Sequence, residues 1–187
     1  MKWYAVYVQT GREEQVRTQL YKQLDYLHCC IPKRKIHEKK EGVFREVTRI
    51  MFPGYVFVYI NMDADKYTGI NSIYGVFKIL DYCNEKDKKI HCREEGSEGD
   101  YFKCVPIEEI EPILELINGE DIIELSKAVF VDNKLYILSG PLKGKENRIT
   151  KLDKRHRRAK INFEFMGASK IIDLGIEFES SPTRTGG

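Results

Sequence analysis

The chain has 187 residues, of which 42% are hydrophobic, enough for one large folded domain or two small ones. Its formal net charge of +2 hides an asymmetry, because acidic residues dominate positions 94–124 and basic residues dominate 143–160. No stretch is long and apolar enough for a membrane span or a signal peptide, so we expect a cytosolic protein that binds no membrane. The five cysteines form no CxxC pair, and we expect neither a metal site nor a cofactor.

The first elements predicted along the chain are a strand and a helix. Residues 3–8 form an almost continuous run of aromatic and β-branched residues, typical of a buried strand. Thr10 and Glu13 fit a capping box at a helix start. The apolar positions that follow at helical spacing are Val16, Leu20, Leu24 and Leu27. This spacing predicts a helix with one buried stripe.

The middle of the chain predicts a β-hairpin and a second strand–helix–strand unit. Glu41-Gly42 is a turn signal between the arms 31–37 and 43–50. The subsequent elements predicted are a strand at 55–60, a helix through Tyr67, Ile70 and Tyr74, a strand at 76–80, and a helix over 107–117 that contains Pro112. We interpret residues 83–100 as a long surface loop. The order strand, helix, strand pair, strand, helix, strand indicates an α+β, ferredoxin-like domain.

The C-terminal third predicts only strands. They are placed at 129–131, 134–138, 147–152, 159–165 and 169–174. Five short strands without a helix indicate a small closed β-barrel. Gly140-Pro141 predicts a fixed turn, and Gly144 predicts a close approach between chain segments.

An aromatic strand is the first candidate for function. Tyr55, Phe57 and Tyr59 share one face of the strand at 55–60, and Tyr7 joins them if the first strand pairs with it. Both faces of this strand are apolar, which fits a two-sided core or a hydrophobic groove for an amphipathic helix. Residues 54–59 also partly match the base-stacking strand of RNA recognition motifs, although Pro53 and the valine at 56 depart from that pattern.

A basic run, KLDKRHRRAK at 151–160, is the second candidate. A charge run is either a solvated face or a contact for an anionic partner, and nucleic-acid phosphates release counterions when they are neutralised. The residues predicted to contact RNA are Lys143, Lys145, Arg148, Lys151, Lys154, Arg155, His156, Arg157, Arg158 and Lys160. Sequence motifs of nucleotide-binding, protease and hydrolase sites are missing, so we expect no enzyme activity and no catalytic residue.

Three separated motifs resemble the NusG family of transcription elongation factors: WYAVYVQTGRE at 3–13, FPGYVFV at 52–58, and a G-P-x-x-G element within 137–144. The resemblance implies an NGN domain over 1–118, a linker at 119–128 and a KOW domain with an SH3-like β-barrel fold over 129–180, and the composition of the C-terminus predicts a flexible tail at 181–187. The resemblance also implies that the NGN domain binds the clamp helices of RNA polymerase, and we expect a monomer. Tyr7, Tyr55 and Phe57 fall at the positions of the polymerase-binding depression.

Further partners follow from the resemblance. The turn at 9–12 and Arg17 are placed near upstream or non-template DNA. Two features depart from the usual pattern of the family and are similar to the LoaP paralogues within it. The first is Met166 before Gly167, where the family usually has phenylalanine. The second is the very basic run at 151–160. LoaP-like proteins promote antitermination and bind an RNA hairpin in the transcript leader. The alternatives are a general factor that couples polymerase to the ribosome or to Rho, and an RNA-recognition-motif-like RNA-binding protein.

Overall fold

A computed structural model describes residues 1–80, 102–132 and 134–179. In chain order its elements are β1 (Lys2–Val8), α1 (Glu13–Gln23), β2 (His28–Cys30), β3 (Lys33–Lys40), β4 (Val43–Ile50), β5 (Tyr55–Ile60), α2 (Ala64–Ser72), β6 (Val76–Ile79), α3 (Ile107–Leu114), β7 (Ile122–Ile123), β8 (Ser126–Val131), β9 (Lys134–Ser139), β10 (Ile149–Asp153), β11 (Arg158–Phe165) and β12 (Ala168–Phe178). The predicted loop at 83–100 and tail at 181–187 lie outside the described residues. Within the described ranges, no helix is long and apolar enough to cross a membrane.

The chain divides into two compact units. The first comprises Met1–Ile31, Phe52–Pro112 and Glu164–Ala168, and the second comprises Pro32–Met51, Ile113–Phe163 and the chain from Ser169. The mixed α and β content agrees with the predicted class. The predicted domain boundaries at 118 and 128 stay a prediction, and the units differ from them by grouping the β3–β4 hairpin with the second unit.

The first unit is built on an antiparallel sheet with the strand order β2-β5-β1-β6. Helices α1 and α2 connect β1 to β2 and β5 to β6, which is the split βαβ order. We predicted that both arms of the hairpin, β3 and β4, are strands of this sheet, and this prediction is wrong. The sheet strand that follows α1 is the three-residue β2, which is too short to give a periodic signal.

The helices begin and end differently from the prediction. Helix α1 has no side-chain cap, so the predicted capping box is wrong. The Glu13 carboxylate instead accepts hydrogen bonds from the backbone N–H groups of Gly11 and Gly54, both at 2.8 Å. The helix ends at Gln23, so Leu24 and Leu27, the last two residues of the predicted apolar stripe, lie outside it. Its buried residues Val16 and Leu20 belong to the core of this unit.

The second unit contains a five-stranded sheet in the order β10-β11-β12-β8-β9 and a three-stranded sheet in the order β4-β3-β7. All five predicted C-terminal strands are present, and closure into a barrel stays a prediction. Strand β7 and the start of β8 lie within the predicted linker. The predicted close approach is at Gly140, not Gly144: a Cβ at Gly140 would lie 2.7 Å from the carbonyl oxygen of Leu125, whereas Gly144 faces open space.

The β3–β4 hairpin is confirmed with its predicted turn. Glu41 and Gly42 have φ angles of 53° and 84°, the left-handed conformation that a two-residue hairpin turn requires. Strand β3 pairs in parallel with β7. A Cβ at Gly175 of β12 would lie 2.5 Å from the carbonyl oxygen of Lys35 in β3, so only glycine allows these backbones to come so close.

Candidate functional site

The aromatic face, defined here as Tyr7, Tyr55, Phe57 and Phe77, lies on three neighbouring strands of the first unit. Tyr7 is directly opposite Tyr55 in the β1–β5 pair, and their ring centroids are 5.4 Å apart. The Phe77 ring on β6 lies 5.1 Å from the Tyr7 ring. Phe77 is 60% exposed and Tyr7 38% exposed. The structure therefore brings the predicted tyrosines together on a partly open surface and adds Phe77, which the sequence interpretation missed.

Phe57 differs from its neighbours because it is fully buried. Its ring lies 5.8 Å from Phe165 and 5.9 Å from Phe52, measured between centroids. Phe165 is stacked on Phe52 at 4.6 Å and meets the ring of Tyr55 edge-on at 5.1 Å. The segment Glu164–Ala168 thus covers the middle of the sheet face. Phe57 therefore packs in the core beneath the segment Glu164–Ala168, as the core interpretation expected, while Tyr7 and Phe77 are exposed.

A buried carboxylate fixes the covering segment. Glu109, in the first turn of α3, accepts hydrogen bonds from the backbone N–H of Met166 at 2.8 Å and of Gly167 at 3.2 Å. Both of these residues have positive φ angles, so the segment makes a tight turn here. The helix dipole alone favours acidic residues in a first turn, but Glu109 also has a specific structural partner. Local sequence carries no sign of this pairing, since the partners are more than fifty residues apart.

A second buried carboxylate positions the open end of the aromatic face. Glu13 is 2% exposed and binds the N–H of Gly54, the residue before Tyr55. The carbonyl of Gly54 accepts a hydrogen bond of 2.7 Å from the N–H of Val8, the residue after Tyr7. The carboxylate therefore holds the end of β1 against the start of β5. This linkage explains why the two tyrosines are paired in register.

The basic turn, defined here as residues 151–160, comprises the end of β10, the connecting residues Lys154–Arg157 and the start of β11. Asp153 organises it: one carboxylate oxygen accepts from the backbone N–H of His156 at 2.9 Å, and the other lies 2.8 Å from its Nδ1. The backbone hydrogen bond from His156 contributes most, and the side-chain one next, to holding the pKa of Asp153 below its ordinary value of 3.8. Arg157 has a φ angle of 55°. The turn therefore has a defined conformation rather than that of a loose loop.

Some predicted RNA contacts are exposed. Lys143, Lys151, Lys154 and Arg155 all have exposed side chains. The Nζ atom of Lys154 lies 3.7 Å from the ring centroid of Phe130, where a cation is attracted to the aromatic face. His156 is exposed as well, beside Asp153. These side chains are accessible to an anionic partner.

Other predicted contacts bind inside the second unit. Lys145 forms an ion pair with Glu115 at 2.5 Å, and Arg148 lies 3.8 Å from the same carboxylate. Arg158 and Lys160 lie 3.2 Å and 3.0 Å from the carboxylate oxygens of Asp173. The structure thus divides the predicted cations into an exposed group and a group that is neutralised locally. The sequence could not make this division, because it depends on partners in other strands.

The electrostatics around Asp173 follow from burial and pairing. Burial acts to raise the pKa of Asp173, but hydrogen bonds from Lys160 and Arg158 outweigh it and lower the pKa below 3.8. Burial lowers the pKa of Arg34, and Arg158 adds to this effect while Asp173 opposes it. One carboxylate therefore serves three cations. This cluster leaves an excess of positive charge among partly buried side chains of the second unit.

Metal chemistry finds no support in the described residues, where no group of three or more His, Cys, Asp or Glu side chains is placed to hold an ion. Cys29 and Cys30 are buried. Both lie on β2, where they pack in the first unit.

The aromatic face lies in the part of the chain that matches a known family. The family described as transcription termination factor nusG matches residues 1–96, just over half of the 187 residues. This chain belongs to the NusG family. Two of the three motifs that carried the resemblance, at 3–13 and 52–58, lie inside the matched region, whereas the basic turn lies outside it.

Similar proteins span most of the chain. The transcription termination/antitermination protein NusG of Halalkalibacterium halodurans is 23% identical over 181 residues, covering 92% of this chain and 93% of its own. The corresponding protein of Lactococcus lactis is 28% identical over 160 residues, covering 81% and 78%. A solved structure of Thermotoga maritima NusG, described for its domain interaction, has 21% identity, a TM-score of 0.49 and 93% coverage of both chains.

Proposed function

We propose that this NusG-family chain is a non-enzymatic processive antitermination factor. In this proposal the first unit acts as an NGN domain that binds the clamp helices of RNA polymerase. The second unit acts as a KOW domain that binds an RNA hairpin in the transcript leader, as in the LoaP paralogues. The observation that carries the proposal is the separation of an open aromatic face and an exposed cationic turn onto two different units.

The aromatic face suits a helical protein partner. Tyr7 and Phe77 present exposed rings on paired strands, and their positions are fixed by the Tyr7–Tyr55 register and by the Glu13 carboxylate. An amphipathic helix that docks in a groove buries its apolar side chains against such rings and requires no catalytic group. Aromatic residues are enriched among the side chains that dominate interface energies.

The covering segment belongs to the same proposal. Phe165 occupies the space above Phe57, next to Tyr55. A polymerase helix that reached Phe57 would have to displace Phe165 and the backbone hydrogen bonds of Glu109. The exposed part of the face, at Tyr7 and Phe77, is accessible without this change. We therefore assign the first polymerase contact to Tyr7 and Phe77.

The basic turn suits a nucleic acid. Its exposed cations can neutralise phosphates, and each neutralised phosphate releases counterions, so the affinity falls as salt rises. Duplex RNA has a deep, narrow major groove and is recognised through its shape, bulges and loop bases. A compact turn bearing Lys154 and Arg155 can follow a phosphate backbone at such a feature. Arg158 and Lys160 support the turn through Asp173.

Two sets of variants of the full chain test the proposal. Lys151→Gln, Lys154→Gln and Arg155→Gln together remove exposed charge without breaking an internal ion pair. We expect this variant to lose binding to a synthetic RNA hairpin, to flatten the salt dependence by about three in log–log slope, and to keep polymerase binding. Tyr7→Ser with Phe77→Ser should show the reverse pattern, in gel shifts and in capture by purified RNA polymerase.

The control for charge is Lys134→Gln with Lys170→Gln, which removes exposed lysines from β9 and β12 of the second unit. It should bind hairpin RNA like the unmodified chain. If the turn variant also bound hairpin RNA unchanged, the basic turn would be a solvated surface and the RNA part of the proposal would be wrong. Equal binding of hairpin and scrambled RNA would instead favour a general coupling factor.

The burial of Phe57 weighs against the RNA-recognition-motif alternative. In such domains rings on an open sheet stack on bases, but Phe57 is covered by Phe52 and Phe165. A loss of RNA binding in the Tyr7 and Phe77 variant, with its fold intact, would revive that alternative.

A further inference from the structure

Phe44, on strand β4 of the hairpin, has two cations near its ring. The guanidinium carbon of Arg157, from the basic turn, is 4.8 Å from the centroid of the Phe44 ring. The Nζ atom of Lys39 is 6.0 Å from the same centroid. The ring is half-buried, while Lys39 and its neighbour Lys40 are exposed. A hairpin tip and the basic turn therefore meet in one mixed aromatic and cationic surface within the second unit.

The hairpin is held beside the basic turn by contacts that do not involve Phe44. The Arg158 guanidinium donates a hydrogen bond of 3.4 Å to the backbone carbonyl of His37. Strand β3 passes so close to Gly175 that a Cβ there would lie 3.1 Å from the Cα of Ile36. Lys35 forms an ion pair of 2.8 Å with Glu124. The position of Phe44 next to Arg157 is thus a consequence of the fold of this unit.

The charges beneath this surface are unbalanced. Asp173 faces Arg158 and Lys160, and it also acts on the charge of Arg34. In the part of the chain that the structure describes, the buried Nε atoms of Arg34 and Arg158 have no hydrogen-bond partner. Three cations share the Asp173 carboxylate here, and Glu38, on which Arg158 also acts, is paired with Arg49, so an excess of positive charge remains to attract an anion. The hairpin side of the basic turn is therefore favourable for a phosphate.

We propose that the β3–β4 hairpin forms the second half of the RNA site: Phe44 and the Arg157 guanidinium receive an unpaired base, and Lys39 and Lys40 bind the adjacent phosphates. The inference rests on the proposed function and defines its ligand further, as an RNA hairpin with unpaired bases rather than a continuous duplex. Aromatic rings and guanidinium planes are the groups on which splayed RNA bases stack.

The test uses the full chain and two probes, a synthetic RNA hairpin with an unpaired purine loop and a fully paired RNA duplex of equal length. Phe44→Leu keeps an apolar side chain and removes the ring. We expect it to weaken binding to the RNA hairpin by about 5-fold to 150-fold, the range measured when a base loses its aromatic partner, and to leave duplex binding unchanged. Phe44→Tyr retains the ring and should retain binding.

A second variant tests the phosphate contacts without touching the half-buried ring. Lys39→Gln with Lys40→Gln should reduce the log–log salt slope of hairpin binding by about two. The pair Lys134→Gln and Lys170→Gln removes the same charge elsewhere in the unit and should leave the slope unchanged. If Phe44→Leu fails to fold, this comparison decides the question, and an unchanged slope would overturn the proposal.

The outcomes separate the two proposals. If Phe44→Leu weakens binding to the RNA hairpin and to the RNA duplex equally, or weakens neither, the proposed stacking site is wrong. If the variant at 151, 154 and 155 abolishes RNA binding while the Phe44 variant and the Lys39 and Lys40 variant bind RNA normally, only the inference about the β3–β4 hairpin fails. If the turn variant itself binds normally, the RNA part of the proposed function fails.

Discussion

The aromatic face and the basic turn use opposite chemistry but are constructed in the same way. Each combines side chains that build the surface with side chains that remain open on it. In the aromatic face Phe57 is buried while Phe77 is exposed. In the basic turn Arg158 binds Asp173 while Arg155 is exposed. The difference lies in the supporting groups, since buried carboxylates bind backbone N–H groups in the first unit, whereas the half-buried carboxylate of Asp173 binds cationic side chains in the second.

This difference determines which substitutions report on binding. Truncating Arg158 would remove a cation from the turn and also unpair Asp173, so a loss of RNA binding would have two causes. Truncating Phe57 would leave a cavity in the core, which usually costs about 3–5 kcal/mol. Variants at Arg155 and Phe77 avoid both problems.

Gly175→Ala should disrupt the second unit and spare the first. The new Cβ would lie 2.3 Å from Cδ2 of Leu125 and 2.5 Å from the carbonyl oxygen of Lys35. The leucine can rotate but the strand backbone cannot, so we expect a loss of about 2–4 kcal/mol in the free energy of unfolding of this unit. Hydrogen exchange should accelerate in β3 and β12, and hairpin RNA binding should fall.

Gly119→Ala is the matched control, because a Cβ there would meet open space. It should leave hydrogen exchange in the second unit unchanged. Trp3, the single tryptophan, lies in the first unit, and its fluorescence should not respond to either substitution. A matching shift in Trp3 fluorescence in the Gly175→Ala variant would show that the two units unfold together, and would contradict a loss of stability confined to the second unit.

Glu13→Ala should produce the opposite pattern. It leaves two N–H groups, those of Gly11 and Gly54, without their acceptor. Leaving such groups unsatisfied costs about 1–3 kcal/mol each, less whatever water restores. Urea unfolding followed by Trp3 fluorescence should shift to lower concentrations, and polymerase capture should weaken because Tyr55 follows Gly54. Glu13→Gln retains one acceptor oxygen and should be intermediate. Weaker RNA binding in these variants would contradict the assignment of RNA to the second unit.

Local sequence predicted the elements whose signals are local. The strand at 55–60 and the Glu41-Gly42 turn are confirmed, because β-branched residues and left-handed turn residues act within a few positions. The capping box failed because Glu13 binds an N–H forty-one residues away. A short-range pattern cannot distinguish such a partner from a nearby one.

The same limit explains what could be predicted of the candidate surfaces. Tyr7 and Tyr55 follow from strand pairing and alternation, so the sequence identified them. Phe44 and Asp173 act through pairing between distant strands, and no spacing along the chain brings them next to the basic turn. The charge of the turn was visible in the sequence, but its division into exposed and paired cations was not.

Asp173→Asn should give the smallest effect and test the balance of charge in the second unit. The asparagine cannot neutralise Arg158 and Lys160, so we expect a loss of about 1–3 kcal/mol in the free energy of unfolding. The side chain of Asp173 is 23% exposed, and water moderates the cost. Removing one negative charge beneath the basic turn should at the same time strengthen binding to hairpin RNA at low salt. Stability and RNA affinity would then change in opposite directions.

The pH dependence of this variant supplies the independent check. Because the folded protein holds the pKa of Asp173 below 3.8, the carboxylate contributes its full stability above pH 3.8 and loses it as the pH falls through the lower folded value. The difference in urea midpoint between the unmodified chain and Asp173→Asn should therefore be constant at neutral pH and shrink only below about pH 4. A difference that closed near pH 6 would mean that the carboxylate does not neutralise these cations. In that case the exposed and paired cations of the basic turn would have to be assigned again.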